Sequence, residues 1–368
     1  MSTHAPRICA ALFVIALASA GCGGAAPHDD SFATDGSLTS DGASPSGSDQ
    51  GSAADSTAET GPQATSDDTD TNSETDTDGS DGVGGDAADS TSEDGSGSGI
   101  VEMEVDLGRY AAAGRVASIP APASSASGST WNFDTDRVWV IQNGASRFFE
   151  YASDDFSAPI RNIHLVGINA HDTEGLTYMG NGEVAVAFEG GYGVYIADVP
   201  DGDTNIDVLV KQTLTLAAPP MVGNNGLEGI TYDVDNEVFY AVGEGQDNAA
   251  PRRFFRFERP ADRAADLTWM DPGLVVTEPF DAESALPGSG GSLDLAGVVF
   301  DRRDGNVLII SHTGFRVFQV NPEGDGTILG ELDLPPNQWE GVTLVGQDSD
   351  LLVVAEANEI QRYVYDGG

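Results

Sequence analysis

"GLEGITYDVDNEVFYAVGEG", residues 226–245, decides the fold. It holds a β-like run, a turn at Asp235-Asn236 and a second β-like run. A Glu-Gly pair precedes the first run and another follows the second. "TEGLTYMGNGEVAVAFEGG" at 173–191 has the same layout, and "WEGVTLVGQDSDLLVVAEAN" at 339–358 nearly repeats it. Two further copies carry other residues before the glycine. Ser127-Gly128 leads into "STWNFDTDRVWVIQNG", and Ala296-Gly297 leads into "VVFDRRDGNVLIISHTG". Each copy is followed by a third apolar run: "RFFEY", "GVYIADV", "RFFRFE", "RVFQVN" and "IQRYVY". A fourth follows three of them, as "RNIHLVG", "KQTLTLA" and "TILGELDL".

Alternating β-branched and aromatic runs broken by Gly, Asn and Asp are strand signals. Beyond residue 100 no long stripe of helical period is present, and "ADRAADLTWM" allows a turn or two of helix at most. A unit of four antiparallel strands repeating every 40–70 residues or so is one blade of a β-propeller. The fold class is therefore all-β, a propeller of five blades. A sixth is conceivable in the long third unit, around residues 259–285. The fifth unit ends after its third strand, at Tyr365. "AGRVASIP", residues 113–120, precedes every blade and can supply the missing outer strand, closing the ring.

The N-terminal part is of a different kind. Arg7 and the short apolar run "ICAALFVIALASAGC" form a secretory signal over residues 1–21, too short for a comfortable membrane span. Ser19-Ala20-Gly21-Cys22 resembles a bacterial lipobox, so Cys22 is the expected lipidation site and membrane anchor, although Leu is usual where Ser19 stands. Gly23 follows it, where an aspartate would signal inner-membrane retention, so the outer membrane is favoured. Residues 22–100 are rich in Ser, Thr, Asp and Gly and cannot bury enough apolar surface to offset the entropy of ordering, so they read as a disordered acidic tether. The propeller occupies 101–368. Cys9 lies in the signal, leaving Cys22 as the one cysteine of the mature chain, which excludes an internal disulfide and thiolate zinc sites.

The net charge is −44. Residues 23–100 carry 18 acids and no Lys or Arg, and residues 101–368 carry 42 acids against 15 bases. Nucleic acid and anionic lipid are poor partners for such a surface, while cations are favoured. Solubility or a salty habitat would also account for the overall charge.

"HDTEGLTYMGNGEVAVAFEG", "NNGLEGITYDVDNEVFYAVGEG", "LAGVVFDRRDGNVLIISHTG" and "WEGVTLVGQDSDLLVVAEAN" together resemble the SdiA-regulated (YjiK-like) family of bacterial exported β-propellers. The resemblance covers roughly residues 105–366. Its Glu-Gly-[Leu/Ile/Val]-Thr signature occurs at Glu174, Glu228 and Glu340, and the chain departs from it at Ala296-Gly297. It implies the fold and an exported location more than a function, since the family has no established catalytic activity. Related propeller groups include calcium-dependent lactonases and esterases, an analogy of fold alone.

Equivalent positions in a propeller form rings about the axis. The residues before the glycines are Ser127, Glu174, Glu228, Ala296 and Glu340. Fifteen or sixteen residues later stand Asn143, Glu189, Glu244, His312 and Glu356, a separation that one hairpin spans. Both sets are expected at one mouth of the channel. Two carboxylates 4 Å apart repel by about 4 kcal/mol at an effective dielectric near 20, so something must offset the crowding. Arg147, Arg252, Arg253, Arg316 and Arg362 fall in or near third strands, away from the axis. Oxygen ligands suit Ca²⁺ or Mg²⁺ more than zinc. The six glutamates are therefore candidate metal ligands, with Ca²⁺ the favoured cofactor. Asn143, His312, Asp172 and Trp339 are candidate contacts to a ligand, and His171 a candidate base. Alternatively, Glu174, Glu228 and Glu340 latch each blade to the backbone of the next. Two functions fit: binding of a small molecule or protein at the mouth by a monomeric lipoprotein, or metal-dependent hydrolysis of an ester, lactone or phosphate.

Overall fold

The computed structural model describes residues 105–168, 172–189, 191–218, 226–245, 251–286, 293–347 and 349–367. The signal, Cys22, the tether and His171 lie outside the described residues. Three four-stranded sheets and one nine-stranded sheet that spans two blades make the five blades of a propeller. Strand β1 (Tyr110–Ser118) precedes them. Blade 1 is β2 (Ala126–Asn132), β3 (Arg137–Gln142), β4 (Arg147–Ala152) and β5 (Arg161–Val166). Blade 2 is β6 (Thr173–Gly180), β7 (Glu183–Phe188), β8 (Gly193–Asp198) and β9 (Asn205–Thr215). Blade 3 is β10 (Leu227–Asp233), β11 (Val238–Gly243), β12 (Arg253–Glu258) and, past the short β13 (Leu267–Thr268), β14 (Val276–Thr277). Blade 4 is β15 (Leu295–Asp301), β16 (Asn306–Ser311), β17 (Arg316–Val320) and β18 (Ile328–Asp333). Blade 5 is β19 (Trp339–Val345), β20 (Asp350–Ala355) and β21 (Glu359–Tyr365), completed by β1.

The region that could have held a sixth blade contains β13, β14 and the single-turn helix Ala282–Ala285. Ring closure follows the expected scheme. β1 runs antiparallel to β21 from Tyr110 opposite Tyr365 to Ser118 opposite Glu359. The Tyr110 hydroxyl donates to the Ser349 carbonyl at 2.9 Å and accepts from Arg303, whose guanidinium is clamped on buried Asp301. One feature had no sequence signal. The first half of β9 pairs in parallel with β5, joining the outer edges of blades 1 and 2.

Each blade buries both faces, because the five cores lie between neighbouring blades. Trp139 and Phe148 of blade 1 pack on Tyr178 and Val186 of blade 2, and Phe239 and Phe255 of blade 3 on Val194 and Ile196 of blade 2. The other interfaces are built alike. The second strands β11 and β20 are consequently buried at every position, while the outer β5 and β18 alternate with period two. Turns joining first and second strands carry a residue of positive φ: Asp136, Asn181, Glu237, Gly305 and Ser349. At Asn181-Gly182 both turn residues are left-handed, as a tight hairpin requires.

Candidate functional site

The innermost strands β2, β6, β10, β15 and β19 contact one another in a closed cycle. What lets them meet is the glycine of each repeat. A Cβ on Gly128 would stand 2.6 Å from the Glu174 carbonyl, on Gly175 2.7 Å from that of Glu228, and on Gly297 2.5 Å from that of Glu340. On Gly229 it would lie 2.7 Å from Gly297 Cα, and on Gly341 2.8 Å from Gly128 Cα. All five separations are below any real Cβ contact, so the glycines form a ring that pinches the axis. The cavity left there measures about 10 Å³, room for a single water at most.

The residue before each glycine sits in a β-bulge. Pairing with the second strand shifts between Ala126 and Gly128, Leu227 and Gly229, Leu295 and Gly297, and Trp339 and Gly341, and between Thr173 and Leu176 in blade 2. A bulge leaves its extra residue without a cross-strand partner and re-aims its side chain. The second set is tied to the same level by one repeated backbone bond. Asn143, Glu189, Glu244, His312 and Glu356 donate their N–H groups to the carbonyls of Ser125, Asp172, Gly226, Asp294 and Gln338 at 2.8–3.2 Å. Both rings thus lie at one mouth, as the hairpin spacing predicts.

Chemistry divides the ring. In blade 1, Ser127 donates to the Glu174 carbonyl at 3.0 Å, a latch between blades made by serine where the alternative reading assigns latches to Glu174, Glu228 and Glu340. Asn143 donates to Glu356 Oε1 at 3.4 Å, and His312 Nδ1 lies 3.1 Å from Glu340 Oε1. Glu340 and Glu356 therefore have neutral or cationic partners. Blades 2 and 3 differ. One carboxylate oxygen each from Asp172, Glu174 and Glu189 lie within 4.8 Å of one another, and so do those of Glu189, Glu228 and Glu244. Gly226 makes this approach possible, for a Cβ there would be 2.0 Å from the Glu189 carbonyl. Glu228 is 9% exposed, and its Oε1 is buried without a hydrogen-bond partner.

The electrostatics follow. Burial first, then Glu189, Glu340 and Asp172, push the pKa of Glu174 up to about 9 against the pull of Ser127. Burial, Asp294 and the neighbouring glutamates raise Glu244 to about 8. Burial raises Glu189 to about 7, Asp172 adding to the shift and Glu228 opposing it. Glu228 is held well above its ordinary value by burial and by Glu174, Glu189 and Glu244. His312 is raised by its bond to Glu340, against its burial.

Two expectations change. Trp339 is fully buried, with its indole N–H donating to the Pro335 carbonyl at 2.7 Å, so it offers no face to a ligand. It packs with Leu308, Ile310 and Val353 between blades 4 and 5, where an apolar ring gains more than at the wet mouth. Asp294, passed over in sequence, interacts with Glu244. Its signal was available: it stands two residues before Ala296, as Asp172 stands two before Glu174. The arginines lie where the strand order placed them, Arg147 and Arg253 opening β4 and β12 and Arg316 opening β17.

The family model described as SdiA-regulated matches residues 107–360. The chain belongs to the SdiA-regulated family. No curated protein matches this SdiA-regulated chain in sequence. Among solved structures it is similar to the calcium-binding protein regucalcin of Agrobacterium tumefaciens, at 13% identity and a TM-score of 0.43, over 69% of this chain and 93% of that one. It is also similar to a luciferin-regenerating enzyme, at 13% identity and a TM-score of 0.44 over 69% and 96%. Glutaminyl cyclase of Myxococcus xanthus is similar at 12% identity and a TM-score of 0.45, over 69% and 96%.

Proposed function

We propose that this SdiA-regulated protein binds a ligand or partner at the acidic mouth of its propeller through a divalent cation of the Ca²⁺ class. Glu228 carries the reading: a buried carboxylate oxygen without a partner, set among acids, is a costly arrangement that a cation relieves. The donors are all oxygens lying within 4.8 Å of one another, the ligand type that hard cations such as Ca²⁺ take. Glu174, Glu189, Glu228 and Glu244 are the ligands favoured by geometry, with Asp172 beside them. When bound, the cation would supply positive charge at the axis for an oxygen-bearing ligand.

In this reading the chain is exported and lipid-anchored through Cys22, with the outer membrane favoured, and the acidic segment is the tether. A Cys22→Ser variant is expected to leave the membrane pellet for the soluble fraction. The cation is tested by titrating Ca²⁺ into the chelator-treated protein and following heat and melting temperature. Wild type is expected to show both, and Glu228→Gln to lose both while keeping its far-ultraviolet spectrum. Absence of heat and of any melting shift in wild type would rule the cation out, leaving these acids as structural groups.

Metal-dependent hydrolysis of an ester, lactone or phosphate is the second reading, favoured by the His312–Glu340 pair. Glu340 raises the pKa of His312, which suits proton donation to a leaving oxygen more than proton abstraction from water. It requires metal-dependent turnover that disappears in Glu174→Gln. Binding without turnover supports the first reading.

A further inference from the structure

The acids of blades 2 and 3 fall into two groups of three that share one member. Asp172, Glu174 and Glu189 form one, and Glu189, Glu228 and Glu244 the other. We infer that the mouth holds two divalent cations, one in each group, bridged by the carboxylate of Glu189. The inference rests on the cation reading above and extends it to stoichiometry and to the role of each acid.

Three observations carry it. Glu189 is the only residue common to the two groups, and a carboxylate has two oxygens, so it can serve one ion with each. Paired divalent ions in proteins commonly stand about 3.5–4 Å apart behind such a bridge. Glu189 is held at the blade boundary, its carbonyl packed on Gly226 of blade 3 and its N–H bonded to Asp172 of blade 2. It therefore faces both groups by construction. The orphaned Glu228 Oε1 lies in the second group, while Glu174, in the first, is shielded on its backbone side by the Ser127 latch. An ion in either group alone leaves acids of the other crowded against Glu189.

Charge points the same way. Five carboxylates converge here, and the charges acting most strongly on Glu174 and Glu228 are those of other carboxylates. One divalent ion compensates two of these negative charges when all are ionised. Two ions compensate four, and the bridging position lets both do so without a second set of ligands. The outer acids Glu340 and Glu356 are not required, being engaged by His312 and Asn143.

The test counts ions. Ca²⁺ bound to the full mature chain is measured by calorimetry and native mass spectrometry for wild type, Glu189→Gln, Asp172→Asn and Glu244→Gln. Differences between variants cancel any weak binding by the acidic tether. Each substitution is close to isosteric, and melting in chelator confirms folding. Wild type is expected to bind two more equivalents than Glu189→Gln. Asp172→Asn and Glu244→Gln are each expected to lose one equivalent and keep the other. A difference of one equivalent between wild type and Glu189→Gln overturns the two-ion arrangement while the single-cation reading stands. No difference among the four proteins would overturn both.

Discussion

Blades 2 and 3 and blades 1, 4 and 5 share one backbone and differ in what it carries. All five have the bulge before the glycine, the close approach of that glycine to the next blade, and the backbone bond from the second ring to the residue two before the first. At this common frame, blades 1 and 4 place Ser127, Asn143, Ala296 and His312, whereas blades 2 and 3 place four glutamates. Blade 5 has acids but borrows partners from its neighbours, Asn143 for Glu356 and His312 for Glu340. The fold therefore depends on the glycine and the bulge, not on the glutamate before it. An acid at a position where serine or alanine also fits the fold adds a charge that the fold does not require.

The comparison is broken most severely by attacking what the two halves share. Gly175→Val in the acidic half and Gly297→Val in the neutral half should each cost about 3 kcal/mol or more, since backbone atoms block the new Cβ in both. Denaturant unfolding checks this. A variant tolerated in one half alone would show that the ring is not uniform.

A smaller effect separates the halves. Folding raises the pKa of Glu189 to about 7, Glu244 to about 8 and Glu174 to about 9, against 4.5 as the ordinary value. The folded state thus holds protons that the unfolded chain has released. Stability from these groups is complete below the ordinary value and is lost as pH rises through the folded values. In chelator, the melting temperature should fall from about pH 5 to about pH 9, and saturating Ca²⁺ should flatten the slope. Glu228→Gln should change little at about pH 5 and stabilise the chelated protein by about 2 kcal/mol at about pH 9, because it removes one buried charge from a repelling set. A flat profile for the wild type would contradict the crowding.

Smallest is the effect of the neutral latch. Ser127→Ala removes the bond to the Glu174 carbonyl and should cost about 1 kcal/mol. Serine does not titrate in this range, but Ser127 lowers the pKa of Glu174, so the loss should be larger at about pH 9 than at about pH 5, opposite in sign to the effect of Glu228→Gln. Thermal melts of the two variants side by side sharpen the division between blades.

Much of this was legible because propeller repeats are written in strand length and turn chemistry. The Glu174-Gly175, Glu228-Gly229 and Glu340-Gly341 pairs with a second polar residue one hairpin later placed both rings correctly at one mouth. Closure by β1 was legible too, because a unit of three strands leaves an unpaired edge that the chain must cover. Trp339 was misplaced because its position beside Glu340 says nothing about direction. Consecutive strand residues point to opposite faces, and the bulge sends the tryptophan into the core and the acid toward the mouth. The parallel pairing of β5 with β9 was invisible because edge strands pair by proximity of backbone, with no side-chain signature.

By itself, then, the sequence determined the propeller class, the order of the strands within a blade, the closing strand and the level at which the acids gather, since these follow from local period, turns and repetition, while the structure settled five blades against six. Tertiary structure alone decided which acids face one another. Glu340 and Glu356 are satisfied across blade boundaries by His312 and Asn143, and Glu189 is drawn to Glu228 by the missing side chain of Gly226. Those partners are more than thirty residues apart or in different blades, so their meeting depends on how the ring closes and how tightly its glycines let neighbouring backbones approach.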